Sequence, residues 1–349
     1  MAKTGSSSIQ ERLWRSREEL AARGIYYPPW RPFNHSYELS ALFRAAGGSG
    51  FLYRQLSPIS PADWEQELAR LRQRWQAFLA NDEPGTYLMS AESLEHFHTG
   101  ELQALIDFVA GAYDRIDIIM YARHPRSAIS SRFEQAVKQV RRSADPQKLL
   151  AAAKQQARFG MLRRLQSVEG VDAIIVRPFD RDHFPGGQLL HDFFTALELP
   201  TLDAEDVALQ ANTSLGRNAV AFLLRHNARF PLYTDEGPNP ERGLSGRQEL
   251  LFRLMRAVQD EPLALDIRFT EEEAGMVNDE IDFVNRFLPA GSAFSRVESS
   301  AEVTALPGPG DVSPDFFSDL VNALALELDR TLDDQQHLAA VLRQLRGKS

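Results

Sequence analysis

The 349-residue chain contains no cysteine, which excludes disulfides and cysteine-ligated metals at the outset. It holds no apolar run of the ~20 residues that a membrane helix needs. No signal peptide is expected from the residues ahead of the first helical stretch. Basic residues are in the minority, 39 Lys and Arg against 48 Asp and Glu, and a formal net charge of -9 leaves no general basic surface for nucleic acid. No internal repeat is present. These absences point to the cytoplasm, with neither membrane nor nucleic acid as partner. What the chain does have is 43% hydrophobic residues, enough for a sizeable core in one large α/β domain, with or without a helical extension.

The first ten residues describe an anion-gripping turn that runs into a helix. Lys3, Thr4, Gly5 and the hydroxyls of Ser6, Ser7 and Ser8 stand directly ahead of an amphipathic stretch, Ile9 to Arg23. Backbone N–H groups and hydroxyls of such a turn can surround an anion at the positive end of the helix. Lys3 adds a mobile full charge. In the nucleoside-triphosphate loop Lys follows the last Gly; here it precedes Gly5, and that order implies different chemistry.

A second signal lies in the middle of the chain. Ile116 to Tyr121 reads as a short buried strand, and Pro125 turns the chain into a helix with Phe133, Val137 and Val140 on one face. Arg123 then sits at the strand's carboxyl end, and Ser131 follows eight residues later. A guanidinium and a hydroxyl so placed can converge on a further phosphate.

Together the two segments resemble the sulfotransferases that use 3′-phosphoadenosine 5′-phosphosulfate, in particular a bacterial group whose loop is similar to Lys3-Thr4-Gly5-Ser6-Ser7-Ser8-Ile9-Gln10. The likeness extends to Gly24-Ile25-Tyr26-Tyr27-Pro28, to Ser90-Ala91-Glu92 and to Val176 to Arg181 leading to Gly186-Gly187, and it is faint beyond about residue 200. It implies a fold of the P-loop-NTPase type, a three-layer α/β/α arrangement with a mainly parallel sheet. Residues 3 to 8 would bind the 5′-phosphosulfate, and Arg123 and Ser131 the 3′-phosphate. Lys3 would sit near the bridging oxygen and Glu92 would serve as base, with His96 and His98 as alternatives, and no metal would be required. The family also begins with an apolar strand ahead of the loop, whereas here only Met1 and Ala2 precede Lys3. We therefore expect a start inside a longer protein, with a central strand lacking and its neighbours' backbone groups unpaired.

Between these segments, strands at Thr86 to Ser90, Asp117 to Tyr121 and Ala173 to Val176 alternate with helices, as a doubly wound sheet requires. A helix from Asp63 carries Trp64, Leu68, Leu71, Trp75, Phe78 and Leu79 on a core-facing stripe. A long helical stretch covers Gln147 to Val168; the basic residues Arg141, Arg142, Lys148, Lys154, Arg158, Arg163 and Arg164 cluster after the helix that bears Ser131 and read as a solvated face in preference to an attractor for an anionic donor or an acidic glycan. Another helix follows Gly187 and stops before Pro200. Pro28 to Pro61 reads as an irregular, aromatic-bearing insertion and Tyr233 to Gly246 as a loop. Helices are expected at Leu215 to His226, Gln248 to Val258, Glu271 to Phe287 and Pro314 to Leu345. The division expected is an α/β domain over residues 1–232 and a mostly helical extension over 233–349, packed on the same domain or on a second copy.

In sulfuryl transfer the reacting centre passes through a loose, in-line transition state, so positioning and stabilisation of charge on the leaving oxygen dominate. The expected activity moves a sulfuryl group to a hydroxyl of a carbohydrate or other small molecule. Two alternatives stand beside it. One is a chain without catalysis; the other is a nucleotide-dependent kinase, disfavoured by the Lys order and by the lack of a magnesium-holding Asp at the end of the strand Asp117 to Tyr121. His96-x-His98 lacks a third ligand at metal spacing.

Overall fold

A computed structural model describes residues 4–44, 60–81, 83–139, 145–200, 215–231, 233–234, 237–238 and 245–329. Lys3 lies outside these residues, as do Phe51, Tyr53, Val140, Arg141 and Arg142. The described chain is mixed α/β with small parallel sheets.

In chain order the elements are α1 (Ser6–Arg15), α2 (Arg17–Ala21), β1 (Ile25–Tyr26), α3 (Ser36–Phe43), α4 (Pro61–Leu79), β2 (Thr86–Tyr87), α5 (Thr99–Ala110), β3 (Asp117–Ala122), α6 (Pro125–Gln139), α7 (Pro146–Gln156), α8 (Gly160–Leu165), β4 (Ala173–Pro178) and α9 (Leu189–Ala196). There follow α10 (Arg217–Arg229), β5 (Tyr233–Thr234), β6 (Gly237–Pro238), α11 (Ser245–Ala257), α12 (Glu271–Asn285) and α13 (residues 314–329). Their contacts divide the chain into two compact units. One holds Met1–Ala128, Arg158–Ala211 and Thr270–Ser299; the other holds Ile129–Ala157, Asn212–Phe269 and Ser300–Ser349. The boundary between the units passes through α6.

In the first unit β1 pairs with β2 and β3 with β4, both parallel. Among the described residues no ladder joins β2 to β3. Side chains alternate along these strands. Met120, Ala122 and Val176 enter one apolar cluster with Leu39, Trp75, Leu105, Leu162 and Val284, while Ile25 and Tyr121 enter another with Ile9, Leu13, Leu189 and Phe194. The short loop between β2 and the Glu92–His96 turn divides in the same way, Leu88 going to the second cluster and Met89 to the first.

Capping side chains explain four helix starts. Ser60 caps α4, accepting from Asp63 N–H at 3.1 Å, and Pro61 supplies a helix-ready first residue. Thr270 caps α12 in the same way. In the second unit Asp145 caps α7, and Asp260 accepts from the N–H groups of Asn218 and Ala219 at the start of α10.

Several expectations need correction. The stretch Gln147 to Val168 is two helices: the chain breaks so that buried Phe159 can donate its N–H to Glu280 Oε2 at 3.0 Å. Its basic residues are only partly a solvated face. Lys148 and Arg158 are exposed, but Lys154 donates to Arg268 O at 2.8 Å in the second unit, and Arg164 to Glu95 O at 2.6 Å in the first. β1 was not among the expected strands, and β2 has only two laddered residues because β1 is equally short. The first helix breaks at Ser16. Pro28 to Pro61 includes α3, and its Trp30 packs edge-on against Trp75 at 5.2 Å and Phe78 at 5.7 Å. Within Tyr233 to Gly246, β5 and β6 form an antiparallel pair.

Candidate functional site

The site begins where backbone conformation is most demanding. Gly5 adopts φ 73°, a left-handed value that glycine takes without steric cost, and its carbonyl accepts from Ser8 N–H and Ile9 N–H at 3.0 and 3.1 Å. That turn sets Ser6 as the first residue of α1. No acidic residue occupies the first turn of α1, while Arg12 and Arg15 stand in its last. The charge pattern keeps the helix's positive end unneutralised by its own side chains.

Glu92 approaches this end from the loop after β2. Its Oε1 accepts hydrogen bonds from Ser6 Oγ at 2.7 Å and Ser7 Oγ at 3.1 Å. One turn beyond Ser6, fully buried Gln10 donates from Nε2 to Ser90 Oγ at 3.0 Å. The two rows of contacts tie α1 to residues 90–92 over successive turns.

The turn bearing Glu92 is held from its other side as well. Ser90 O accepts from His35 N–H at 3.1 Å, Ser93 N–H donates to Ser36 Oγ at 3.0 Å, and Ser93 Oγ donates to Ser36 O at 3.1 Å. Beneath this lacing lies a buried polar group in the first unit. Glu38 accepts from the indole N–H groups of Trp30 at 3.0 Å and Trp75 at 2.8 Å and is ion-paired with Arg74. Burial raises the Glu38 carboxyl above its ordinary range, with Arg74 and the indoles opposing it.

Arg123 leaves the end of β3 with its guanidinium 5.6 Å from the Phe179 ring. Phe179 is also the neighbour of the loop: a Cβ placed on Gly5 would lie 3.1 Å from its Cε2. Gly5 and Arg123 therefore both neighbour one aromatic ring. Below it, buried Asp192 on α9 accepts from Tyr121 Oη at 2.8 Å and Arg177 Nε at 3.1 Å, and is ion-paired with Arg177. Burial first, then the Asp192 charge, raises the Tyr121 hydroxyl well above its ordinary value, so it remains a donor.

Beside Arg123, His124 makes a hydrogen bond of 3.0 Å from Nε2 to Ser295 O and accepts from Arg126 N–H on Nδ1 at 3.3 Å. Burial lowers its pKa, in keeping with a neutral ring.

The structure thus brings Thr4, Gly5, Ser6, Ser7, Glu92 and Arg123 into one region, Thr4 being buried and Ser7 exposed. Ser8 lies on the first turn of α1. Ser131 is on the second turn of α6 and belongs to the second unit, whereas Arg123 belongs to the first. His96 and His98 are exposed, and His98 N–H is occupied by Glu101 Oε2 at 2.9 Å. Among the described residues no group of three His, Cys, Asp or Glu side chains gathers as a metal site would. Sequence reading missed Gln10 as a link to Ser90, although its spacing of four from Ser6 puts both on one helix face. It also missed Asp192, for which no local signal exists.

Compared with family models, curated proteins and solved structures, the chain matches none of them.

Proposed function

We propose that the first unit is the donor-binding part of a sulfotransferase that moves a sulfuryl group from 3′-phosphoadenosine 5′-phosphosulfate to a hydroxyl of a carbohydrate or other small molecule. The observation that carries this reading is the meeting of the Glu92 carboxylate with the hydroxyls of Ser6 and Ser7 at the head of α1. Anion donors and a carboxylate stand side by side there. Transfer to a hydroxyl needs both: one set holds the departing phosphate, the other takes the acceptor's proton. Arg123, whose guanidinium lies over the Phe179 ring beside the loop, would take a further phosphate.

In the reaction the acceptor oxygen bonds to sulfur as the bond from sulfur to the bridging oxygen breaks. The acceptor's proton passes to Glu92, and 3′-phosphoadenosine 5′-phosphate departs. Thr4 to Ser8 hold its 5′-phosphate and Lys3 offsets the charge that grows on the leaving oxygen. The fold that accompanies this reading is the P-loop-type three-layer arrangement. The parallel strands that separate two apolar clusters in the first unit favour it.

The test is a thermal shift with 3′-phosphoadenosine 5′-phosphate against ADP. At a hundred times its dissociation constant a selective ligand stabilises by about 2.7 kcal/mol, and a sulfotransferase, unlike a nucleotide-dependent kinase, prefers the 3′-phosphorylated nucleotide to ADP. Equal or absent shifts dismiss the reading. Replacing Lys3 by Ala should abolish turnover while leaving the protein folded.

A further inference from the structure

Two hydroxyls donate to one carboxylate oxygen at the place where the proposed donor would put its 5′-phosphate. We infer that Glu92 is the resident anion of the loop, that the donor must displace it, and that this exchange makes donor binding precede use of Glu92 as a base. The inference rests on the donor reading above.

Each serine hydroxyl carries one proton. The protons of Ser6 and Ser7 point to Glu92 Oε1 at 2.7 and 3.1 Å, so a phosphate oxygen cannot also receive them. Nor can a phosphate sit against the head of α1 while a second negative charge remains hydrogen-bonded there, since like charges in contact cost several kcal/mol. One of the two anions has to leave. The backbone under Glu92 is not the part that moves. Ser90 is held by Gln10 and His35, and Ser93 by Ser36 through two hydrogen bonds. The Glu92 side chain itself is only half-buried and can turn about its own bonds once its two hydrogen bonds to the serines are given up.

The exchange has a chemical consequence. While the site holds no donor, the two hydroxyls hold the carboxylate at the head of α1 through Oε1. Once those hydroxyls turn to the phosphate, the carboxylate is released and can turn to the acceptor's proton. Glu92 thereby reports donor occupancy to the acceptor side.

The competing idea is that Glu92 orders the serines for the donor, and the two ideas predict opposite signs. Calorimetric titration of 3′-phosphoadenosine 5′-phosphate into the wild-type chain, Glu92→Gln and Glu92→Ala measures the difference. Displacement predicts that both variants bind about tenfold tighter or better, each tenfold being about 1.4 kcal/mol. Wild-type binding that prefers this nucleotide over ADP, with variants binding equally or more weakly, overturns the inference and leaves the donor reading standing. If no chain prefers the 3′-phosphorylated nucleotide, the donor reading fails and the inference with it. Glu92→Asp covers the case in which a variant loses the wild-type tryptophan fluorescence. It keeps the charge one methylene farther from the hydroxyls, so tightening should be smaller but present, and unchanged or weaker binding again overturns the inference.

Discussion

Replacing Gly5 with Ala is the most direct challenge to the geometry of the loop, because two separable costs meet there. The first is conformational. A non-glycine residue at φ 73° gives up about 1–2 kcal/mol. The second is steric: the new methyl would lie 2.2 Å from Leu189 Cδ2 and 3.1 Å from Phe179 Cε2. The leucine methyl ends a flexible side chain and can swing. Phe179 is packed at 6.4 Å against Tyr121 and 5.8 Å against Phe184, and has less room to give. Overpacking of this kind adds about 1–3 kcal/mol, so the total is roughly 2–5 kcal/mol. Gly186 supplies the control. It has φ 61° and nothing within 4 Å of an added Cβ, so Gly186→Ala should show the conformational cost alone. All four tryptophans, Trp14, Trp30, Trp64 and Trp75, belong to the first unit, as do both glycines. Urea unfolding followed by tryptophan fluorescence therefore reads the unit in question. Equal losses for the two substitutions would refute the close approach of α9 and Phe179 to the loop.

Two further outcomes follow from buried polar groups. His35 is fully buried, and burial first, then Arg74, lowers its pKa from 6.5 to about 4. A depressed folded value means that its contribution is complete above pH 6.5 and is lost as pH falls toward 4, about 3 kcal/mol in all. Stability measured across that window should fall less steeply in His35→Phe, and parallel pH curves would remove His35 as the cause. Asp192→Ala leaves Tyr121 Oη and the Arg177 guanidinium without their shared acceptor, and should cost about 3 kcal/mol or more in the same urea assay. A loss under 1 kcal/mol would mean that Arg177 finds water instead.

Features set by the nearest few residues were readable before any coordinates. The run Asp117 to Tyr121 is a strand because the apolar residues Ile118 to Tyr121 suit a buried ladder, and β4 supplies the matching parallel partner, Met120 against Val176. The stripe of α4 was legible because Trp64, Leu71, Trp75 and Leu79 recur at helical spacing and all four are buried. The failures share a cause. The break after α7 exists because Phe159 is held by Glu280, more than a hundred positions away. Nothing near Gln156 announces that partner. β1 is a two-residue strand, too short to show alternation, and owes its assignment to Thr86 and Tyr87 across from it.

The site was readable to the same depth and for the same reason. Gly5 and three hydroxyls ahead of an amphipathic helix describe a turn that can receive an anion. Glu92 could be placed at a strand end, but its distance to Ser6 could not. That distance changes the chemistry assigned to the residue. On the proposed reading, a carboxylate standing several ångströms from the loop would be a base and nothing more, whereas one hydrogen-bonded to both Ser6 and Ser7 would be a base and a competitor of the phosphate. The two roles pull in opposite directions on a variant: loss of the base slows turnover, while loss of the competitor tightens donor binding. A single substitution at Glu92 should therefore lower kcat and lower the donor's Kd together. That pairing is unlike what a purely structural carboxylate would produce, where both affinity and rate decline with the fold.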